Sequence, residues 1–462
     1  MLLRYCLRDH QFSMKKLHIV SLGCPKNLVD SEVMLGRLED DGYTAVEEPA
    51  EADLLLVNTC GFIGPAVEEA IDEILRLAEF KREDPDKLLV VTGCLVQRYG
   101  ADLKNELPEV DLFTGTNGFQ EIDVLVRRAE QSEESLIDLR PAGFVMDSTS
   151  ARRLSTPSFR SYLKVTEGCN NRCSYCMIPS IRGNLRSRTI QDLIVESRNL
   201  EMQGIRELTL IAQDLTAYGA DLADGTDLVR LLQRLAAETD IPWIRLLYLY
   251  PTGISDALLE FMAAEPRILP YLDIPFQHVS DRILMKMNRR YGAADLENLL
   301  GRIRSHLPEC VVRTTLMVGF PGETESDIDT IIQYLLKWQL DHIGIFRYED
   351  EDGCAAFNFT GKVDEEVMHR RYNRVMEVQA EISRKKQQRY VGRIEPVLIE
   401  GISRESDLLL EGRTRFQAPE IDGCVYITAG TADAGEIAEV RITEAHTYDL
   451  VGALLNDGEA GG

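Results

Sequence analysis

Residues 161–176 read SYLKVTEGCNNRCSYC. The run SYLKV has the apolar character of a buried strand, and it stops at Gly168 just before Cys169, Cys173 and Cys176, a C-x3-C-x2-C arrangement. Thiolates are soft ligands suited to iron, and this spacing lets one loop wrap three corners of a cubane cluster. Such a cluster keeps one iron without a protein thiolate, open to a cofactor or a substrate. Spacing alone also admits a zinc knuckle, although no fourth ligand stands nearby, or a redox C-x2-C pair.

Five further strand-like runs follow this one: IRELTLIAQD, WIRLLYLYP, YLDIPFQH, VVRTTLMVGFPGE and HIGIFRYE. Helical patterns such as QDLIVESRNLEMQ, DLVRLLQRLAAE and ESDIDTIIQYLLKW separate them. Repeated β/α units predict a barrel, and six are too few to close one of eight strands, so the expectation is an open (β/α)6 partial barrel. The cysteine loop then lies at the carboxyl end of its first strand, the usual active face. Gln213 and Asp214 end the second run, within reach of a ribose or methionyl group. Gln277, His278 and Ser280 end the fourth, with His278 as readily a structural residue as a functional one; Met285 and Met287 read as ordinary helix residues. Gly319 to Gly322 form a Gly-rich turn with Glu323 and Glu325 behind it, a pattern that could also simply begin a helix.

Upstream, from Lys15 to about residue 140, KLHIVSLG, ADLLLVNTC and KLLVVTGC read as buried parallel strands of an α/β domain. Each ends at a cysteine: Cys24, Cys60 and Cys94. Ligands of open α/β sheets sit beyond the carboxyl ends of the strands, so the three could converge there. Gly23, Gly61 and Gly93 beside them would let the backbone approach a bulky ligand. A single buried thiol would mean little, since cysteine is also a small hydrophobe. The polar stretch 141–157 reads as a linker, giving domains at 15–140, 155–389 and 390–458. A charged helix from about Glu365 to Arg389 precedes the last, where RIEPVLIEGI, DLLLEGRTRF, CVYITAG and EIAEVRITEA predict a small all-β barrel. The last dozen residues read as loose.

The 462 residues carry 51 Lys and Arg against 76 Asp and Glu, a formal charge of -25, which opposes non-specific binding to nucleic acid or anionic membrane. The last domain, from residue 391, has 14 acidic residues, five arginines and no lysine, the opposite of what phosphates ask for. That imbalance suggests the barrel as a docking surface for a basic protein, separable from cofactor cleavage. Ten cysteines, six of them at strand ends or in one loop, fit metal binding in a reduced, cytoplasmic compartment better than a disulfide framework. No apolar run is long enough to span a bilayer. Residues 1–14 are too short and too charged for a secretion signal, and read as an extension or an upstream start ahead of Met14.

The motif C169-NNR-C173-SY-C176 is the signature of the radical S-adenosylmethionine superfamily. SLGCPKNLVDSE, NTCGFI and VTGCL, followed by YLKVTEGCNNRCSYCMIPSIRG and a small β domain, resemble the methylthiotransferases over nearly the whole chain. The resemblance implies two 4Fe–4S clusters, one on Cys169, Cys173 and Cys176, the other on Cys24, Cys60 and Cys94, and a last domain of the TRAM (OB-like) type. It implies two molecules of S-adenosylmethionine: one methylates a sulfur species at the second cluster, the other yields a radical that takes hydrogen from an unactivated carbon. It implies cofactor contacts at Tyr175, Gln213, Asp214, Gln277 and Gly319, and no catalytic residue beyond the clusters is assigned. GCPKN and NTCGFI resemble the branch that modifies an aspartate of ribosomal protein S12 rather than the branch that modifies a transfer RNA adenosine. The expected partners are that protein, free or in the small subunit, and an electron donor of the flavodoxin or ferredoxin kind, with the enzyme a monomer. A transfer RNA methylthiotransferase is the alternative, and a non-catalytic iron–sulfur scaffold a distant one.

Overall fold

The computed structural model describes residues 14–455, so the amino-terminal extension and residues 456–462 lie outside the described residues. The chain forms two compact units, one ending at Phe144 and joined by Thr149–Arg153, the other made of Val145–Ser148 and everything from Leu154 on.

The first unit is built on six parallel strands, β1 (Lys15–Ser21), β2 (Tyr43–Ala45), β3 (Leu54–Thr59), β4 (Leu88–Gly93), β5 (Leu112–Thr114) and β6 (Leu136–Asp138), in the order β2-β1-β3-β4-β5-β6. Only β1, β3 and β4 were expected; β2, β5 and β6 have three residues each, too few to show a period. All of β3 and nearly all of β4 are buried, which explains their unbroken Leu/Val runs. The chain leaves β1 toward β2 and returns on its other side as β3, so the order reverses between β1 and β3. Ligand crevices of open α/β sheets form at such a switch point.

The stretch 141–157 is no free linker. Arg152 donates through Nε and Nη2 to Glu32 at 2.9 and 2.7 Å, both side chains buried, and the Arg153 amide donates to the Glu32 carbonyl. This anchors Thr149–Arg153 on the first unit. Ser148, by contrast, donates its amide to Asp192 of the second.

In the second unit β7 (Arg160–Lys164) leads into two short strands, β8 (Thr166–Glu167) and β9 (Arg186–Ser187), which pair antiparallel and clasp the cysteine loop between them. The parallel strands β10 (Glu207–Ile211), β11 (Trp243–Leu246), β12 (Ile268–Asp273), β13 (Val311–Val318) and β14 (His342–Arg347) then add one after another, in the order β14-β13-β12-β11-β10-β7. The end strands β7 and β14 do not pair, so the sheet is the expected open six-stranded partial barrel. Its apolar outer face and the helices form one large core.

The helix Glu365–Gln387 leads to five strands, β15 (Ile394–Ile402), β16 (Leu410–Thr414), β17 (Val425–Ile427), β18 (Ile437–Ala445) and β19 (Leu450–Leu454), closed as β15-β16-β17-β19-β18. Four of these were legible; the fifth, β19, occupies residues expected to be loose. This barrel seats on the amino ends of the parallel strands, opposite the cysteine loop. Glu207, the first residue of β10, is fully buried and receives Arg245 of β11 and Arg413 of β16, each at 2.6 Å. Asp422 accepts from the Tyr271 hydroxyl at 2.7 Å and faces Arg313 and His342, each at 3.5 Å. Phe159, Trp243, Leu269 and Leu398 pack beside them. The barrel is therefore no separable arm: its removal would uncover a seam of buried charges.

Burial alone would raise the Glu207 carboxyl, but Arg413 and Arg245 outweigh it and bring the pKa down to about 2. A depressed carboxyl pKa contributes stability above the unfolded value, roughly 4.3, and that contribution is lost as pH falls through the folded value. Glu207→Gln, which leaves buried Arg245 without a carboxylate and Arg413 with Glu400 alone, should cost about 3–5 kcal/mol at neutral pH in denaturant unfolding. The gap between variant and wild type should close on acidification from about pH 4.3 toward pH 2. A gap that does not change with pH would show that the carboxylate charge is not what holds the seam.

Candidate metal centres

Cys60 and Cys94 directly follow β3 and β4, and Cys24 stands beyond Leu22 and Gly23 after β1; the three strands are neighbours in the sheet, so the cysteines share one edge at the switch point. Cys24 is the N-cap of the helix Pro25–Asp40, whose positive end favours a thiolate. The neighbouring glycines work differently from expectation, because what approaches them is the chain itself. A Cβ on Gly23 would lie 2.8 Å from Cβ of Cys60, one on Gly61 2.6 Å from Cα of Leu95, and one on Gly93 2.6 Å from the Thr59 carbonyl. They allow the three cysteine loops to close on one another. Two asparagines that sequence reasoning passed over fix that packing. Asn27 Nδ2 donates to the Leu22 carbonyl at 2.7 Å, and Asn58 Nδ2 donates to the Asn27 carbonyl and to Ser31 Oγ at 2.9 and 2.8 Å. Their place in GCPKN and NTCGF was the available signal.

The loop of Cys169, Cys173 and Cys176 is held from several sides. Gly168, at φ +74°, lies so close to the Asn184 carbonyl that a Cβ would be 2.1 Å away. Asn171 Nδ2 donates to Asp214 at 2.7 Å, Asn288 Nδ2 donates to the Arg172 carbonyl at 2.6 Å, and the Ser174 amide donates to the Met287 carbonyl at 3.0 Å. Burial pushes the Cys169 thiol up to about 11, and the Cys176 thiol higher still. Ligation would thus release protons.

The described cysteines form no disulfide. Among the described residues no three His, Cys, Asp or Glu side chains converge as ligands of one ion would. A cubane places each thiolate on a separate iron, so its ligands need not converge. The donor set of each triad, three cysteines in a loop packing fixed by glycine and asparagine, fits an iron–sulfur group.

The other expected contacts divide. Gln213 Nε2 donates to Glu167 at 3.3 Å, while its Oε1 is buried without a partner. Asp214 accepts from Asn171, from Thr216 Oγ1 at 2.6 Å and from the Ala217 amide at 3.3 Å, so both its oxygens are engaged inside the chain. Burial raises its pKa, and these hydrogen bonds oppose the rise. Gln277 has φ +68°, outside the usual range for a side-chain-bearing residue, and its backbone bonds to Thr315 and Met317. Tyr175 packs edge-on against Phe320.

Gly319, at φ +84°, donates its amide to Glu323 at 2.8 Å, and a Cβ there would strike Met368 at 2.2 Å. Its glycine requirement is accounted for by packing. His278 is fully buried: Nδ1 accepts the amides of Val279 and Ser280 at 2.9 Å, and Nε2 lies 3.4 Å from Glu323 without a hydrogen bond. Ser280 donates to Asp327. Met285 is exposed and Met287 buried.

Sequence reasoning missed a buried ionic group beneath the cysteine loop. Glu167 accepts from Lys164 and Arg182, each at 2.9 Å. Burial would raise this carboxyl, but Lys164 and Arg182 hold it well below the usual range. Arg289 was also missed; its Nη1 donates to Cys173 Sγ at 3.5 Å.

Family models match the chain in three segments: the uncharacterized protein family UPF0004 over residues 16–115, the radical SAM superfamily over 163–335, and the TRAM domain over 391–455. In fold, the chain is similar to the radical S-adenosylmethionine methyltransferase TsrM from Kitasatospora setae (TM-score 0.55, 16% identity, 72% of this chain and 73% of that one). It is also similar to the cobalamin-dependent S-adenosylmethionine radical enzyme OxsB (TM-score 0.51, 10% identity, 79% and 56%). Cysteine loop, open barrel and superfamily match together define a radical S-adenosylmethionine enzyme. The ribosomal protein uS12 methylthiotransferase RimO of Desulfotalea psychrophila is 53% identical over 96% of this chain and 99% of its own length, and that of Geobacter sulfurreducens 46% over the same shares. The chain belongs to the ribosomal protein uS12 methylthiotransferase family. No helix among the described residues is long and apolar enough to cross a membrane.

The close packing of the first triad is open to a test that needs no metal. Gly23→Ala combines a left-handed φ of +92° with a Cβ at 2.8 Å from Cys60, whereas Gly42→Ala has a similar φ of +95° and open space. Gly42→Ala should cost about 1 kcal/mol and Gly23→Ala about 2–3 kcal/mol more, read by denaturant unfolding. Equal losses would show that the Cys24 and Cys60 loops are not packed this closely.

Proposed function

We propose that this enzyme attaches a methylthio group to the β-carbon of an aspartate in ribosomal protein uS12, using two separate 4Fe–4S clusters. The observation that carries this reading is the pair of cysteine triads, each at the carboxyl edge of its own parallel sheet. Cys169, Cys173 and Cys176 would hold the radical cluster, and Cys24, Cys60 and Cys94 the second. When bound, these groups and S-adenosylmethionine supply a radical able to take hydrogen from carbon and a methylated sulfur to replace it. No side-chain base would serve, because such a C–H bond is far from acidic at ordinary side-chain pKa values.

The work left to the chain is positioning and the exclusion of water. Asn171 and Asp214 tie the cysteine loop to the end of β10. The unpartnered Oε1 of Gln213 is an acceptor for the polar atoms of S-adenosylmethionine, and Gln277, beyond the end of β12, would supply a second polar contact. Tyr175, among Phe320, Tyr348 and Phe359, supplies an apolar wall. The chain works as a monomer in the cytoplasm, with a small redox protein of the flavodoxin or ferredoxin class as electron donor. Its charge of -25 suits a basic protein substrate.

Anaerobic reconstitution should give about eight irons per chain, and about four after Cys169, Cys173 and Cys176 are all replaced by Ala. Retention of all eight would refute the radical-cluster assignment. With uS12 and S-adenosylmethionine under reducing conditions, mass spectrometry should find the methylthio group on an aspartate; modification of a transfer RNA adenosine instead would overturn the substrate. Cys173→Ala should abolish 5'-deoxyadenosine formation, whereas Cys60→Ala should keep part of it and lose methylthio transfer. Equal loss of cleavage in a folded Cys60→Ala enzyme that retains its radical cluster would contradict this division between the triads.

A further inference from the structure

Most buried or half-buried arginines of the catalytic unit are paired with carboxylates. Arg182 bonds Glu167, Arg188 bonds Asp192 and Glu196, Arg245 and Arg413 bond Glu207, Arg313 bonds Asp273, and Arg371 bonds Glu323. Arg186, which donates only to carbonyls, is one exception, and the half-buried Arg289 is another. Among the described residues no carboxylate lies within ion-pair distance of it. Its Nε donates to the Tyr291 hydroxyl at 2.6 Å, its Nη2 to the Pro275 carbonyl, and its Nη1 to Cys173 Sγ at 3.5 Å. The guanidinium also lies 4.5 Å from the ring centre of Tyr250 and 5.1 Å from that of Tyr291. The turn that carries it is fixed, since Asn288 adopts φ +56° and bonds the cysteine loop through the Arg172 carbonyl.

A cation set among aromatic rings and neutral acceptors is costly unless an anion stands beside it. The one soft acceptor in contact with Arg289 is the Cys173 sulfur, which would be a thiolate as a cluster ligand. We infer that Arg289 is a positioning residue for the radical cluster, donating to the Cys173 thiolate and holding a fixed positive charge that favours the reduced state. This rests on the assignment of Cys169, Cys173 and Cys176 to that cluster. Reduction takes one electron from the donor protein, which is oxidised by one electron, and no proton moves. The cluster gains one unit of negative charge, and a cation beside one of its thiolates stabilises the product more than the reactant. The tyrosines hold the guanidinium in place while contributing no carboxylate that would cancel its charge.

The test reads a potential, which a merely structural residue would not move. The full chain with Cys24, Cys60 and Cys94 replaced by Ala is reconstituted so that a single cluster gives the signal, and its midpoint is measured by electron paramagnetic resonance titration with dithionite. Arg289→Met should make reduction at least tenfold less favourable, about 59 mV for one electron. Arg289→Gln should shift it in the same direction, and Arg289→Lys should recover most of the loss. If the Met variant fails to hold iron, Gln and Lys still decide between charge and shape. Unchanged midpoints in the iron-loaded Gln and Lys variants would overturn the inference, and so would a loss confined to S-adenosylmethionine affinity, which would make Arg289 a carboxylate clamp. Failure of the starting chain to bind about four irons would instead overturn the cluster assignment on which the inference rests.

Discussion

Parallel pairing is the constraint from which both candidate centres follow. When every strand of a sheet runs the same way, every loop leaving a strand emerges at one edge, whatever the sequence distance between the strands. Cys24, Cys60 and Cys94 are 36 and 34 residues apart, yet they become neighbours because β1, β3 and β4 are adjacent and parallel. The second centre uses the same edge of another parallel sheet, but gathers its thiols within one loop and secures that loop to later strands. Asn171 to Asp214 and Ser174 to Met287 are two of those ties.

The same constraint leaves the amino edge of the open sheet with a different problem. Glu207, Arg245, Arg313 and His342 project into the interior there, where water cannot serve them all. The carboxy-terminal barrel supplies Arg413 to Glu207, and Asp422 to Tyr271, Arg313 and His342. One edge of the sheet is thus neutralised by a neighbouring barrel, and the other keeps an arginine whose partner is a sulfur. That contrast gives the Arg289 environment its meaning, because the fold has carboxylates to offer and places none there.

What was legible in the sequence was whatever local pattern encodes. Long buried strands announced themselves as Leu/Val runs, and C-x3-C-x2-C sits within a single loop. The short strands β2, β5 and β6 carry no period, and their pairing is imposed by neighbours already in the sheet. Contacts between distant residues left no trace: Arg289 is 116 positions from Cys173, and Arg413 is 206 positions from Glu207. Gly23, Gly61 and Gly93 were visible as requirements for close approach, but glycine does not say what approaches. His278 illustrates the converse, a polar residue beside a candidate site whose Nδ1 is engaged by the amides of its own turn, while Nε2 lies 3.4 Å from Glu323.

Net charge says less than its sign suggests, for a related reason. The last 72 residues hold 14 acids and five arginines, and a sum of that sign reads as an acidic face awaiting a basic partner. The sum does not record where each charge lies. Glu400 faces Arg160 and Arg413, Glu420 bonds Arg160, and Asp422 serves the seam beneath the parallel sheet. These acids answer basic groups of the same chain, so part of the barrel's excess is an internal complement to the arginines of the catalytic sheet. The acids that could meet a substrate are those outside the seam, and their field is screened over a Debye length of about 8 Å at physiological ionic strength. Long-range attraction for a basic protein is therefore a property of the acidic molecule as a whole, and Asp422 and Arg413 of the barrel are already engaged by the sheet that carries the cysteine loop.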